Sequence, residues 1–139
     1  MKVTVIVPIY NVEQYLRECL DSVISQTLAD IEVICVNDGS IDKSQEILNE
    51  YSWKDARIKI INQINQGAYA ARNTAIDIAQ GDYLCFIDPD DYYPDKFVLE
   101  NLYIAAINNN ALICGGGFQE NKSGTVIKEW SGNLSQYSF

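Results

Sequence analysis

The chain of 139 residues contains no histidine. This absence excludes Ser-His-Asp and Cys-His catalysis, and also every metal site built on imidazole. Any catalytic acid, base or metal ligand must therefore come from Asp, Glu, Lys, Tyr, Asn or the backbone.

The chain also lacks any CxxC pair and any long apolar run. Its four cysteines, Cys19, Cys35, Cys85 and Cys114, have spacings that fit no metal or redox motif. They lie in apolar strand-like runs or on the apolar face of a predicted helix, so we interpret them as reduced core residues. No run approaches the ~20 residues of a membrane span. Met1-Lys2 lead straight into a strand without a signal peptide. We expect a cytoplasmic protein.

Positive charge is scarce. Ten Lys and Arg face nineteen Asp and Glu, which gives a formal charge of −9 and a pI near 4.3. With 47% apolar and 21% charged residues, the composition is that of one globular domain and excludes a disordered tail. A nucleic-acid partner is excluded as well, because the net charge would repel a phosphate backbone. An anionic ligand would need a bridging cation.

Strand-like and helix-like patterns alternate along the first ~108 residues. The patterns predict strands at 3–9, 31–36, 57–61 and 82–87, and helices at 12–24, 42–51, 68–79 and 94–108, with Pro94 at the first helical position. Residues 111–114 are predicted to form a fifth strand, and residues 124–130 one arm of a hairpin. Such alternation is typical of an α/β fold with a doubly wound, mostly parallel sheet flanked by helices.

Polar residues follow each of the four predicted strands. Ligands of such sheets bind beyond the carboxyl ends of the strands, so this distribution predicts one site along that edge. The residues concerned are Tyr10 and Asn11, then Asn37, Asp38 and Ser40, then Asn62, Asn65 and Gly67, and finally Asp88, Asp90 and Asp91.

The turn Asp88-Pro89-Asp90-Asp91 places three carboxylates within four residues. Like charges this close repel unless they share a cation, and Mg²⁺ or Mn²⁺ takes one or two carboxylates together with substrate phosphates. The sequence therefore predicts a divalent metal at Asp88 and Asp90. A solvated acidic turn next to a helix N-terminus remains the alternative.

Two further loops offer polar groups. Asp38 can accept the imide N–H of a uracil-type base or a ribose hydroxyl, and the alternative is an Asx turn that leads into a helix cap. Arg72 can clamp a diphosphate or fix a neighbouring acid, and the alternative is a surface arginine. No GxxxxGK[ST] or GxGxxG motif follows the first strand. This absence excludes P-loop NTPases and typical dinucleotide-binding proteins.

Four segments resemble the amino-terminal half of family 2 glycosyltransferases, which are inverting enzymes of the GT-A fold that use nucleotide-diphospho sugars. They are VTVIVPIYN (3–11), ECLDSVISQTLADIEVICVNDGSID (18–42), NQG…ARN (65–73) and GDYLCFIDPDDYY (81–93). The resemblance extends over residues 1–115 and is closest to bacterial enzymes that build capsular, exopolysaccharide or cell-wall glycans. It implies a UDP-sugar donor, a glycan or lipid-linked acceptor, and peripheral membrane association of the full enzyme.

The resemblance also implies roles for individual residues. Asp38, with Asn37 beside it, would contact the base. Asp88-Pro89-Asp90 would be the DxD motif, with Asp90 on the metal and Asp88 on ribose or metal. The remaining implied donor contacts are Pro8, Ile9 and Tyr10 around base and ribose, Asn65 and Gly67 beside the nucleotide, and Arg72 at the diphosphate or the acidic motif.

The transferase domain of the family is longer than this chain, and its general base lies in the later half. We therefore expect residues 1–110 to be a nucleotide-sugar-binding unit and residues 111–139 the start of the acceptor side, with the base beyond Phe139. Such a chain would bind donor but transfer sugar poorly, and it would self-associate through exposed apolar surface. The alternatives are a non-catalytic nucleotide-sugar-binding module, a nucleotidyltransferase and a phospho-receiver-like domain.

Overall fold

The structure is a computed structural model that describes the backbone of residues 1–122 and 125–130 and the side chains of residues 1–120. It divides into two compact units, residues 1–98 and residues 99–139. Each unit is described by itself.

The first unit is built on a four-stranded parallel sheet. The strands are β1 (Val3–Ile9), β2 (Ile31–Asn37), β3 (Ile58–Asn62) and β4 (Tyr83–Phe86), in the order β3-β2-β1-β4. All seven residues of β1 and all seven of β2 are buried, and these two strands are the inner strands of the sheet. Both strands are almost continuous runs of apolar, mostly β-branched residues, as is typical of strands whose two faces are covered by helices.

Helices alternate with the strands as predicted: α1 (Leu16–Ile24), α2 (Ser44–Lys54) and α3 (Ala68–Ile76). The face of the sheet that carries Ile6, Ile34 and Val36 packs against Ala71 and Ala75 of α3. These two alanines are fully buried, so the small side chains let the helix approach the sheet closely. The α/β fold class is therefore confirmed.

The helix predicted to start at Pro94 begins four residues later, as α4 (Val98–Asn108). The reason lies in hydrogen bonds that compete with helix formation. The carbonyl of Asp95 accepts from Gln26 Nε2 at 2.7 Å, and the carbonyl of Lys96 accepts from the backbone N–H of Thr27 at 2.8 Å. Both carbonyls are thus engaged by the segment that follows α1.

The fifth strand predicted at 111–114 is also wrong. Asn110 has a φ of +49°, and the N–H of Ala111 donates to the carbonyl of Ala106 at 2.8 Å. A left-handed residue followed by such a bond is the usual end of a helix. The start of the predicted strand therefore closes α4. The next strands are β5 (Phe118–Lys122) and β6 (Thr125–Trp130), an antiparallel pair that confirms the predicted hairpin arm.

A buried carboxylate ties the strands together at the end of the sheet remote from the polar loops. Glu32 on β2 is 1% exposed and accepts hydrogen bonds from Thr4 Oγ1 at 2.6 Å, Lys59 Nζ at 2.7 Å and the N–H of Gln80 at 2.6 Å. Burial raises the pKa of Glu32, but these bonds outweigh burial and leave it below its usual range. The network joins β1, β2 and β3 to the segment that precedes β4.

The four cysteines are free thiols. Cys19 and Cys35 are buried, whereas Cys85 and Cys114 are partly exposed. Among the described residues, no helix is both long and apolar enough to cross a membrane.

Candidate functional site

A cleft of about 240 Å³ opens at the carboxyl end of β1 and β2. One wall is the end of β1, and the opposite wall is the loop between β3 and α3 with the first turn of α3. The lining residues are Pro8, Ile9, Tyr10, Asp38, Asn65, Gly67, Ala68 and Ala71. The cleft lies where parallel α/β sheets bind their ligands.

Asp38 is the fixed acidic group of this cleft. It directly follows β2, is 2% exposed, and its backbone N–H donates to the carbonyl of Ile9 at 2.8 Å. Its Oδ1 accepts from Gln63 Nε2 at 2.7 Å and from the N–H of Gln66 at 2.9 Å, and its Oδ2 accepts from the N–H of Gly67 at 2.8 Å. Burial raises the pKa of Asp38, but the three bonds together lower it below its usual range. The carboxylate is therefore ionised and held in one orientation.

Gly39 brings the loop after β3 close to Asp38. Its φ is +77°, and a Cβ at this position would lie 3.0 Å from the backbone nitrogen of Asn65. A side chain would be strained here and would also push the loop away. Glycine at this position therefore permits the contact between the two loops that form the cleft.

Asn37 has structural partners of its own. Its Nδ2 donates to Gln45 Oε1 at 2.7 Å and to Asn62 Oδ1 at 3.3 Å, and its Oδ1 accepts from the N–H of Ser40 at 3.0 Å. The last bond is the Asx-type turn that the sequence offered as an alternative. Asn37 thus holds the turn on which Asp38 lies, and it does not line the cleft.

The loop after β1 is tied to the loop after β2 by reciprocal bonds. The N–H of Asn11 donates to Ser40 Oγ at 3.1 Å, and Asn11 Oδ1 accepts from the N–H of Ile41 at 2.8 Å. In the same way, the N–H of Glu13 donates to Asp42 Oδ2 at 2.9 Å. These bonds hold the segment that follows Tyr10 in place at the mouth of the cleft.

The acidic turn after β4 lies outside the lining of the cleft. Arg72 of α3 forms an ion pair with Asp88 Oδ1, and Asp88 and Asp90 are both exposed. Partial burial raises the pKa of Asp91, and the charges of Asp90 and Asp88 raise it further. The three acids thus form one concentrated negative site, in which Arg72 compensates part of the charge.

These carboxylates suit a divalent cation that a ligand helps to hold. Among the residues that the structure describes, no cluster of three or more acidic or thiol side chains can enclose a metal by itself. Asp88 and Asp90 are exposed carboxylates and would offer such a cation hard oxygen ligands. Mg²⁺ and Mn²⁺ are commonly bound in this way, with phosphate oxygens that complete the shell.

The structure brings most of the residues that were predicted to contact the nucleotide sugar into one place. Pro8, Ile9, Tyr10, Asp38, Asn65 and Gly67 line the cleft, whereas Asn37, Arg72, Asp88 and Asp90 lie outside its lining. Sequence reasoning missed Gln63, Ala68, Ala71 and Thr74. The alanines give a weak sequence signal, because small residues on the first turns of α3 leave room for a ligand. Gln63 and Thr74 give no sequence signal, because only the fold brings Gln63 to Asp38 and Thr74 to Gln63.

Known proteins resemble the chain in both sequence and structure. The sequence profile of the family described as Glycosyl transferase family 2 matches residues 4–138. EpsJ of Bacillus subtilis (strain 168), described as an uncharacterized glycosyltransferase, is 47% identical over 121 residues, which are 87% of this chain and 35% of EpsJ.

Two solved structures superpose on the chain with a TM-score of 0.74. Residues 1–349 of S. aureus TarS, solved in complex with UDP-GlcNAc, are 33% identical, and the match covers 80% of this chain and 32% of that TarS chain. The mannosyltransferase PcManGT of Pyrobaculum calidifontis, solved with GDP-Man and Mn2+, is 25% identical, and the match covers 84% of this chain and 34% of PcManGT. The match thus spans about a third of the length of EpsJ and of PcManGT, and a fifth of the longer TarS chain whose structure is also known.

The parallel sheet, with the cleft beside Asp38 and an acidic turn at its carboxyl edge, places the chain in the GT-A fold of glycosyltransferases. Within that class, the chain belongs to glycosyltransferase family 2.

Proposed function

We propose that this chain binds the nucleotide-diphospho sugar, a UDP-sugar, from which an inverting glycosyltransferase transfers the sugar. The observation that carries the proposal is the buried carboxylate of Asp38 at the wall of the cleft, fixed by three hydrogen bonds. An ionised carboxylate accepts about four hydrogen bonds, so one acceptor site remains after these three. The imide N–H of uracil is a suitable donor for it.

The shape of the cleft suits a nucleoside. Pro8, Ile9 and Tyr10 form an apolar wall, and the small residues Gly67 and Ala68 leave room for a flat ring opposite. The volume of about 240 Å³ is below the ~300–1,000 Å³ of pockets that enclose drug-sized ligands. We therefore assign base and ribose to the cleft, and diphosphate and sugar to the space beyond it.

Asp88 and Asp90 would hold a divalent cation, Mn²⁺ or Mg²⁺, at the diphosphate. When bound, such a cation stabilises the negative charge of the departing nucleoside diphosphate. Arg72 keeps Asp88 in place through their ion pair. Asp90 is not part of this pair and would ligate the cation. This arrangement also solves the charge problem of the chain, since a net charge of −9 would otherwise disfavour an anionic ligand.

The acceptor is proposed to be a glycan or a lipid-linked acceptor, in line with the family. An inverting transfer needs a general base to deprotonate the attacking hydroxyl. The residues assigned above bind the donor, and we place the base and the acceptor site in the later part of a longer enzyme, beyond Phe139. A lipid-linked acceptor would bring that enzyme to the inner face of the membrane.

Calorimetric titration of UDP, GDP and ADP, each with and without Mn²⁺, tests this proposal. We expect binding that depends on Mn²⁺ and favours UDP. The substitution Asp90→Asn should weaken this binding at least tenfold. Asp77→Asn is the matched control, because Asp77 is an exposed carboxylate at the end of α3. No binding by the wild-type chain, or equal binding by wild-type and Asp90→Asn proteins, would contradict the proposal.

A further inference from the structure

Two side-chain hydrogen bonds in series connect Thr74, in the second half of α3, to the carboxylate of Asp38 in the cleft. Thr74 Oγ1 donates to Gln63 Oε1 at 2.8 Å, and Gln63 Nε2 donates to Asp38 Oδ1 at 2.7 Å. Thr74 and Gln63 do not line the cleft. Their hydrogen bonds nevertheless end at the residue to which we assign recognition of the base.

We propose that Thr74 and Gln63 are positioning residues that set the affinity of the cleft for the nucleoside through Asp38. This inference rests on the proposed function of the cleft. An amide can present either its oxygen or its NH₂ group toward a neighbour. The hydroxyl of Thr74 donates to the oxygen of Gln63, and the NH₂ group is thereby directed to Asp38.

The consequence at Asp38 is geometric. Gln63 and the N–H of Gln66 share Oδ1, while the N–H of Gly67 binds Oδ2. The two backbone donors belong to the loop after β3, whereas Gln63 is the side chain that connects this carboxylate to α3. With the NH₂ group in place, Oδ1 has two donors and Oδ2 has one, and the remaining acceptor site keeps one direction. Without it, each oxygen keeps a single backbone donor, so the carboxylate is held less firmly and the base meets a less preorganised partner.

Thr74→Val is the sharpest test, because valine keeps the shape of threonine and removes the hydroxyl. Thr74→Ser is its matched partner, because serine keeps the hydroxyl and removes the methyl group. Gln63→Met is a second variant, which keeps the length of the side chain and removes the donor. Each protein is titrated with UDP in the presence of Mn²⁺, and thermal unfolding is recorded on the same samples.

We expect Thr74→Val and Gln63→Met to weaken UDP binding about five- to tenfold, which corresponds to the net contribution of one ordinary hydrogen bond. Thr74→Ser should bind UDP within twofold of the wild-type protein, whatever its melting temperature. This rescue separates positioning from general stability, since loss of the methyl group also removes packing.

The outcomes distinguish the two proposals. If the wild-type chain binds UDP and Thr74→Val and Gln63→Met bind it equally well, the positioning role is wrong and the donor site stands. If Thr74→Ser loses affinity together with Thr74→Val, packing rather than the hydroxyl is responsible, and the inference is also overturned. If the wild-type chain binds no nucleotide, the proposed function fails and this inference fails with it.

Discussion

Arg72 on α3 donates to the carboxylate of Asp88 beyond the end of β4, and the ion pair joins two residues that are 16 positions apart in the chain. It links α3, which borders the cleft beside Asp38, to the acidic turn proposed for the cation. The two parts of the proposed donor site are therefore connected through one guanidinium. Its removal should affect ligand binding more than folding.

Arg72→Ala tests this connection. The pair is partly exposed, with 26% of the Arg72 side chain and 52% of the Asp88 side chain accessible, so its loss should cost less than about 1 kcal/mol of stability. Without Arg72, Asp88 loses its fixed orientation, and we expect UDP–Mn²⁺ binding to weaken at least fivefold. Calorimetry and urea denaturation measure the two effects.

Arg17→Ala is the matched control. Arg17 forms an exposed ion pair with Glu50, away from the cleft. It should change stability by a similar small amount and leave UDP binding unchanged. Equal binding by Arg72→Ala and Arg17→Ala would refute the role of the Arg72–Asp88 pair.

Gly39→Ala tests the approach of the loop after β3. An alanine must adopt a φ of +77°, and its Cβ would meet the backbone of Asn65 at 3.0 Å. We expect a loss of stability of about 1–3 kcal/mol and weaker UDP binding. Gly115→Ala is the control, because a Cβ there meets nothing within 4 Å. It should stay within ~0.5 kcal/mol of the wild-type protein. Equal stability of the two variants in urea titrations would show that Gly39 is not needed for the contact.

Much of the fold could be predicted because hydrophobic periodicity is a local property. The β-branched run of β1 and the apolar stripe of α1 each identify their element within a few residues. Pro94 misled because its preference for a first helical turn is local, while the carbonyls of Asp95 and Lys96 are engaged by Gln26 and Thr27, 69 residues away. A long-range competitor of this kind leaves no pattern in the sequence.

The candidate site divides in the same way. Asp38 and Gly67 could be predicted, because polar and glycine residues follow consecutive strands and parallel strands end at one edge. The sequence offered an Asx-type turn here, but it could not predict that Asn37 holds this turn while Asp38 faces the cleft, since Asn37 is fixed by Gln45 and Asn62. The predicted self-association and the position of the general base stay predictions.

Glu32 provides a test of stability that is separate from ligand binding. Its pKa is lowered in the folded chain, so its charged form stabilises the fold above the ordinary Glu pKa of about 4.3. This stabilisation is lost as the pH falls through the lower, folded pKa. We expect Glu32→Gln to lower the free energy of unfolding at pH 7 by about 1–3 kcal/mol, measured by urea denaturation. The difference from the wild-type protein should shrink towards pH 3.

Glu18→Gln is the control for this experiment, because Glu18 is exposed on the first turn of α1. It should stay within ~0.5 kcal/mol of the wild-type protein at each pH. A difference between Glu32→Gln and the wild-type protein that does not change between pH 7 and pH 3 would contradict the assignment of a stabilising charge to Glu32.

We propose above all that the cleft beside Asp38 binds the nucleoside of the sugar donor. Amide ¹H–¹⁵N NMR spectra recorded during titration with UDP test this most directly, with Mg²⁺ as the cation because it does not broaden the signals. We expect the amides of Gln66 and Gly67, which donate to Asp38, to shift in a saturable manner together with that of Tyr10. The groove between α1 and α2 that Arg17 and Lys43 line is the internal control, and its amides should not shift. Saturable shifts confined to that groove, with Gln66 and Gly67 unchanged, would contradict nucleoside binding in the cleft.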